Sequence, residues 1–317
     1  MRGLWIPLLS WAIWGCGVGA PRAPIGASMD APLDTAARPI VAPKPVVPDD
    51  VVARAAQSFH AKRNADGQEL NQSELFDELS KFDIVCLGEA HDAARDHFAE
   101  LAITEALAQR AQFAGRALGV GFEMFQVPYG PALNAYGVGH LDDAGLRKRT
   151  HYDDRWGFAY AYYRPILEFG RARGLPLKAL NASRELTHAV AEKGLAGLSK
   201  KERRQLPELV LDDAAHRAAF DRLMAGHPHE DDMDLDNFYA AQVVWDETMA
   251  DNAARWVAER APSRQLVILA GSAHCRHEAI PARIERREPL RVTSVRLSTK
   301  TAGDSDGFGY TLIFDGG

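Results

Sequence analysis

Glu89 and His91 stand where an apolar run from Phe82 to Gly88 stops, and His97 follows six residues further on. Glu123 lies near the end of a second run, Ala117 to Phe125. Asn181 ends a third, Pro176 to Asn181, and Ser272 and His274 follow a fourth, Gln265 to Gly271. Imidazoles and carboxylates exchange protons near neutral pH and hold divalent metals, so this set points to acid–base chemistry or to metal ligation. Gly88-Glu89-Ala90-His91 and Gly271-Ser272-Ala273-His274 repeat one G-x-x-H pattern. In it glycine lets the chain turn sharply, and the histidine then points back across the strand end. Glu123 would ligate a metal, act as a general base, or orient a histidine through its second nitrogen. His91, His97 and His274 are the candidate metal ligands. His97 cannot share a helix face with His91, but from a first helical turn it can still approach a His91 held in a loop.

The elements that must position these residues follow from the apolar patterning. Four short runs alternating with helical segments imply βαβ units: an α/β fold with a mainly parallel sheet, helices on both faces and a helical insertion lobe. Ligands bind outside the carboxyl ends of strands in such sheets, so parallel strands would bring Glu89, His91, Glu123, Asn181, Ser272 and His274 to one rim. Asp96 to Ala111 repeats apolar residues at helical spacing, and PILEFGRARG predicts a helix opening at Pro165 and stopping at Gly174. RVTSVRL and YTLIF are two further strands, the last expected as an antiparallel edge. Residues 182–262 or so lack strand signals and predict a helical lobe over the rim. Its last helix, Asn237 to Arg260, carries an apolar stripe beside a row of Tyr239, Gln242, Asp246 and Met249 that lines a pocket or forms a buried hydrogen-bond network. The preceding HPHEDDMDLD reads as a solvated loop, since its spacing matches no metal cage.

Composition bounds the reading. With 317 residues, 46% hydrophobic and 25% charged, the chain can bury a large core. Its net charge of −6 argues against nucleic acid as a partner. Residues 1–16 combine Arg2, an apolar stretch and Gly15-Cys16, which resembles a bacterial lipobox with Cys16 as the lipidated residue. Residues 17–48 are rich in proline and read as a tether, so the folded body is residues 49–317. The chain is therefore expected to be exported and lipid-anchored to the cell envelope, at the outer membrane. Cys86 and Cys275 match no CxxC spacing and read as packing residues, although export would permit a disulfide.

LGEAHDAARDH, GFEMFQ, YAYYRPILEFGRARGLPLKALNASREL, DNFYAAQVVWDETMADNAARW and ILAGSAHCRH together resemble the haem-binding uptake and Tiki superfamily, most closely its ChaN-like bacterial lipoproteins. Relatives usually carry adjacent histidines where this chain reads His97-Phe98, and Gly-Val-Pro where it reads Ala279-Ile280-Pro281. The resemblance implies haem binding linked to iron acquisition, with haem, the membrane and a second copy of the chain as partners. Haem requires an apolar slot, an axial donor and cations or imidazoles for its propionates. Tyr152, Trp156, Phe158, Tyr160, Tyr162 and Tyr163 offer such a slot, with Arg164 next to them. Tyr163 and Tyr239 are the leading axial candidates, and Glu89, His91, Glu123, Gln242 and His274 complete the expected binding set. The superfamily also holds Tiki-type metal-dependent proteases and erythromycin-esterase-like hydrolases. The alternative is therefore a hydrolase with a divalent transition metal, using the two G-x-x-H motifs and Glu123.

Overall fold

A computed structural model describes residues 47–225, 234–297 and 307–315. Cys16, residues 1–46 and most of the acidic HPHEDDMDLD segment lie outside the described residues. Eight strands form one sheet: β1 (Phe59–Arg63), β2 (Glu69–Leu70), β3 (Ile84–Glu89), β4 (Ala117–Gln126), β5 (Leu177–Asn181), β6 (Arg264–Gly271), β7 (Val292–Arg296) and β8 (Tyr310–Phe314). They lie in the order β2-β1-β8-β7-β3-β6-β4-β5. From β8 to β5 every pairing is parallel, and only β1 and β2 run antiparallel to their neighbours.

The central strands are buried on both faces, and alternation sorts their side chains into two cores. Val85, Leu87, Val120, Phe122, Val267 and Leu269 face one layer; Ile84, Cys86, Leu266, Ile268 and Ala270 face the other. Helices α1 (Val51–Arg54), α2 (Gln72–Leu79), α3 (Ala94–Phe113), α4 (Gly130–Gly137), α5 (Asp143–Thr150), α6 (Tyr152–Arg155) and α7 (Tyr160–Ala172) belong to the first layer. The insertion contributes α8 (Arg184–Lys193), α9 (Lys200–Arg203), α10 (Ala214–Ala225) and α11 (Leu235–Ala258). The carboxyl half of α11 covers the second face through Met249, Ala250, Ala253, Ala254 and Val257, while its amino half packs on α8 and α10. One helix thus joins the lobe to the sheet. Buried Glu247 holds it to α12 (Ile280–Arg287), pairing with Arg286 at 2.8 Å and Arg287 at 2.6 Å.

Three expectations are corrected. YTLIF is not an antiparallel edge: β8 runs parallel to β7 and lies inside the sheet, because the hairpin β1–β2 pairs on its outer side. Helix α7 begins at Tyr160 and takes Pro165 inside, since buried Tyr160, Tyr163, Ile166, Leu167 and Gly170 give it one continuous apolar stripe. Gly174 does adopt the left-handed conformation past its end, with φ of 63°. Finally, Cys86 and Cys275 are joined by a disulfide. Cys86 lies on β3, and Cys275 follows neighbouring β6 at a Cα–Cα distance of 5.5 Å, within bridging range.

Candidate functional site

Parallel pairing of β3, β6 and β4 sets Glu89, Gly271 and Glu123 at the same end of the sheet. The two glycines of the G-x-x-H motifs are there for close approach rather than for a turn, since neither has a positive φ. A Cβ on Gly271 would lie 2.9 Å from His91 Nε2, and one on Gly88 would lie 3.1 Å from the Ser272 backbone. Absence of a side chain lets the His91 ring cross onto the neighbouring strand.

One half of the site grows from β3 and α3. His91 Nδ1 lies 2.5 Å from Glu89 Oε1, and the Tyr163 hydroxyl donates to the same oxygen at 2.6 Å. His97 Nε2 lies 3.1 Å from the His91 carbonyl oxygen, and its Nδ1 faces Glu100 Oε2 at 2.9 Å and Glu89 Oε2 at 3.4 Å. Trp156 and Phe158 pack against the His91 ring at 4.9 and 4.7 Å, and Tyr162 stacks on His97 at 4.9 Å. Burial disfavours a charged Glu89 carboxylate, but the His97 and His91 rings overcome this and hold it below the usual carboxylate range. For His91 burial is likewise outweighed, by Glu89 and Glu123, and the imidazole is pushed up. His97 is pushed down, chiefly by burial; Glu100 is pushed well up by burial and by the charge on Glu89.

The other half grows from β4, β6 and α11. Glu123 Oε2 accepts the Gly271 backbone N–H at 2.7 Å, and its Oε1 lies 3.4 Å from His274 Nε2. Asp246 receives His274 Nδ1 at 2.6 Å and His216 Nε2 at 2.9 Å, one on each oxygen. His216 Nδ1 continues to the Tyr239 hydroxyl at 3.2 Å, and the Gln242 amide reaches Asp246 at 3.4 Å. Burial opposes a charged His274, but Glu123 and Asp246 push its imidazole well above the usual range. Burial also opposes ionised Glu123 and Asp246, yet His274 leads the partners that hold both low.

The structure therefore gathers Glu89, His91, His97, Glu123, Tyr163, Gln242 and His274 into one buried rim network, with Tyr239 joined to it through His216. Arg164 is not part of it; it pairs with Asp49, Asp143 and Glu168. Asn181 bonds to the next backbone N–H at 2.8 Å. Glu100 and His216 were missed by sequence reasoning. Glu100 carried a usable signal, lying three residues from His97 on a helix, whereas His216 is brought in only by tertiary packing. His91, His97 and His274 do not form one ligand set: the group of metal-binding atoms that converges among the described residues is Glu89, His97 and Glu100. An open cleft of about 340 Å³ at the β5 edge, lined by Lys178, Asn252, Arg255, Trp256 and others, includes none of these side chains.

Fold and site together define a doubly covered α/β protein with a carboxylate–imidazole network at the carboxyl ends of its parallel strands. The family described as haem-binding uptake, Tiki superfamily, ChaN matches residues 75–284, and the chain belongs to it. Among solved structures, one described as cofacial heme binding to ChaN of Campylobacter jejuni superposes with a TM-score of 0.67 at 20% identity, covering 81% of this chain and 97% of that one. This likeness establishes the shared fold. An erythromycin esterase in an open conformation covers 81% and 83% at 13% identity, with a TM-score of 0.44 that carries no argument about chemistry. Protein RETICULATA-RELATED 5, chloroplastic, from Arabidopsis thaliana is 26% identical over 241 residues, 72% of this chain but 32% of that protein. The chain thus spans about a third of the length of that curated relative.

Proposed function

We propose that this chain is a haem-binding protein, lipid-anchored to the cell envelope through Cys16 and acting in haem or iron handling. Membership of a haem-binding uptake family over residues 75–284 is the observation that carries this reading. The donor set fits the group on one condition. His274 faces carboxylates through both ring nitrogens, His91 is 8% exposed with Nδ1 on Glu89, and Tyr163 is fully buried with its hydroxyl spent on Glu89. Tyr162 alone among the tyrosines from 152 to 163 is partly exposed and stacks on His97 at 4.9 Å, so it is the tyrosine that would donate its phenolate oxygen to the iron. The relative from Campylobacter jejuni is described as binding haem cofacially, and a second copy of this chain would supply the second face. The Cys86–Cys275 disulfide supports export, because the cytosol keeps thiols reduced.

Titrating the full chain in detergent with haemin should give a saturable Soret shift, weakened at least about tenfold in Tyr162→Phe, and light scattering should report a haem-dependent dimer. Binding no better than to an unrelated protein ends the haem reading. For the anchor, Cys16→Ser should leave an unprocessed precursor; normal processing and membrane association would remove the lipid.

A hydrolase is the second reading. What favours it is that His274 Nε2 lies 3.4 Å from Glu123 Oε1 and that the charge on Glu123 pushes both His91 and His274 up against the effect of burial, an arrangement of acid and base groups on one rim. Turnover of ester or peptide substrates lost in His274→Gln, with haemin binding absent throughout, would establish it in place of the carrier.

A further inference from the structure

In the β3–α3 half of the site acceptors outnumber donors. His97 Nε2 lies 3.1 Å from the His91 carbonyl, which can only accept, so the proton sits on Nε2 and the lone pair on Nδ1. That lone pair faces Glu100 Oε2 and Glu89 Oε2. The N–H and phenol donors on this side are directed elsewhere: His91 and Tyr163 both bond Glu89 Oε1, and Glu89 Oε2 is buried with no hydrogen-bond partner. Glu100 Oε1 is likewise buried and unpartnered. Both glutamates are 1% exposed and so are shielded from bulk solvent.

We propose that Glu89, His97 and Glu100 bind one divalent transition-metal ion of the zinc class. The three ligand atoms lie within 4.8 Å of one another. Of two of the edges, 2.9 and 3.4 Å, the longer matches the separation of about 3.4 Å expected between ligands of a tetrahedral ion with bonds of about 2.1 Å, and the shorter would open by about 0.5 Å on binding. Two carboxylates and a neutral imidazole balance the ion's charge. A histidine that donates its far nitrogen to a backbone carbonyl is the orientation metal-bound histidines adopt. The site adjoins the expected haem-binding residues through Glu89 and His97, but the proposal does not rest on the haem reading.

The test uses the full chain, grown with zinc, stripped of loose ions with chelator and gel-filtered free of haem. Metal analysis should find one equivalent of zinc in the wild type and in His274→Gln, and at least a tenfold lower content in Glu100→Gln, a change of nearly identical shape. X-ray absorption at the zinc edge of the wild type, which depends on no variant, should show nitrogen and oxygen ligands with a single imidazole. The proposal is overturned if the wild type holds no zinc or if Glu100→Gln retains it fully. It is equally overturned by loss in His274→Gln or by two or more imidazoles, either of which would put the ion on the rim histidines.

Discussion

The two halves of the site are built from the same residue types and solve the same problem differently. Around Asp246, each carboxylate oxygen meets an imidazole N–H, and both oxygens of Glu123 face donors. Around Glu100, three ligand atoms from Glu89, His97 and Glu100 turn toward one another with no N–H directed between them. A buried ion pair whose members are all hydrogen-bonded holds its surroundings in one arrangement. Converging acceptors instead demand a proton or a cation, so one half of the site is satisfied by its own N–H donors and the other depends on a proton or the proposed ion.

The sharpest way to break this comparison is Asp246→Ala. It strands His216 and His274 as buried groups without their partner and should cost about 3–5 kcal/mol, read by chemical denaturation. Next comes the disulfide, which ties β3 of one half to the loop after β6 of the other. Replacing Cys86 and Cys275 together by serine should cost about 2–5 kcal/mol, toward the upper end because the closed loop is long. Retention of wild-type stability there would mean that the halves are joined by packing alone.

Glu100→Gln should act in the opposite direction to Asp246→Ala. A carboxyl whose folded pKa is raised contributes stability that is full below its unfolded value, near 4.3, and lost as pH rises through the folded value. Glutamine carries no such penalty. In metal-free protein at neutral pH it should therefore leave stability unchanged or improve it by about 1 kcal/mol. A loss comparable to that of Asp246→Ala would erase the distinction between the halves. The smallest effect concerns His274, whose folded pKa is raised. Its contribution is complete below about pH 6.5 and fades as pH rises through the folded value. Asp246 works in reverse, contributing above about pH 3.9 and losing its effect as pH falls. Melting temperatures measured from pH 6 to 10 should decline in the wild type through this contribution and be flatter in His274→Gln.

The central strands β3, β4 and β6 were legible because a strand buried on both faces must be an unbroken apolar run, and they and the edge strand β5 each fall within two residues of the predicted segments. The hairpin β1–β2 was not, because Phe59, Ala61 and Leu70 alone give too short a period to stand out. The long α11 helix was legible from spacing. That its polar row forms a network centred on Asp246 could not be decided from α11, since the partners His216 and His274 lie on distant parts of the chain.

The sequence by itself determined which titratable residues stand at the strand ends and that parallel strands would bring those ends together, because apolar period and strand polarity are local properties. Tertiary structure alone decided how the carboxylates are partnered. Whether Glu89, Glu100, Glu123 or Asp246 meets a donor or another acceptor depends on ångström-scale contacts among elements as far apart as β3, α11 and the loop after β6. It also decided the reason for the two glycines. Their motif suggested a turn, but His91 needs the space above Gly271, and only the packed neighbour strand makes that space scarce.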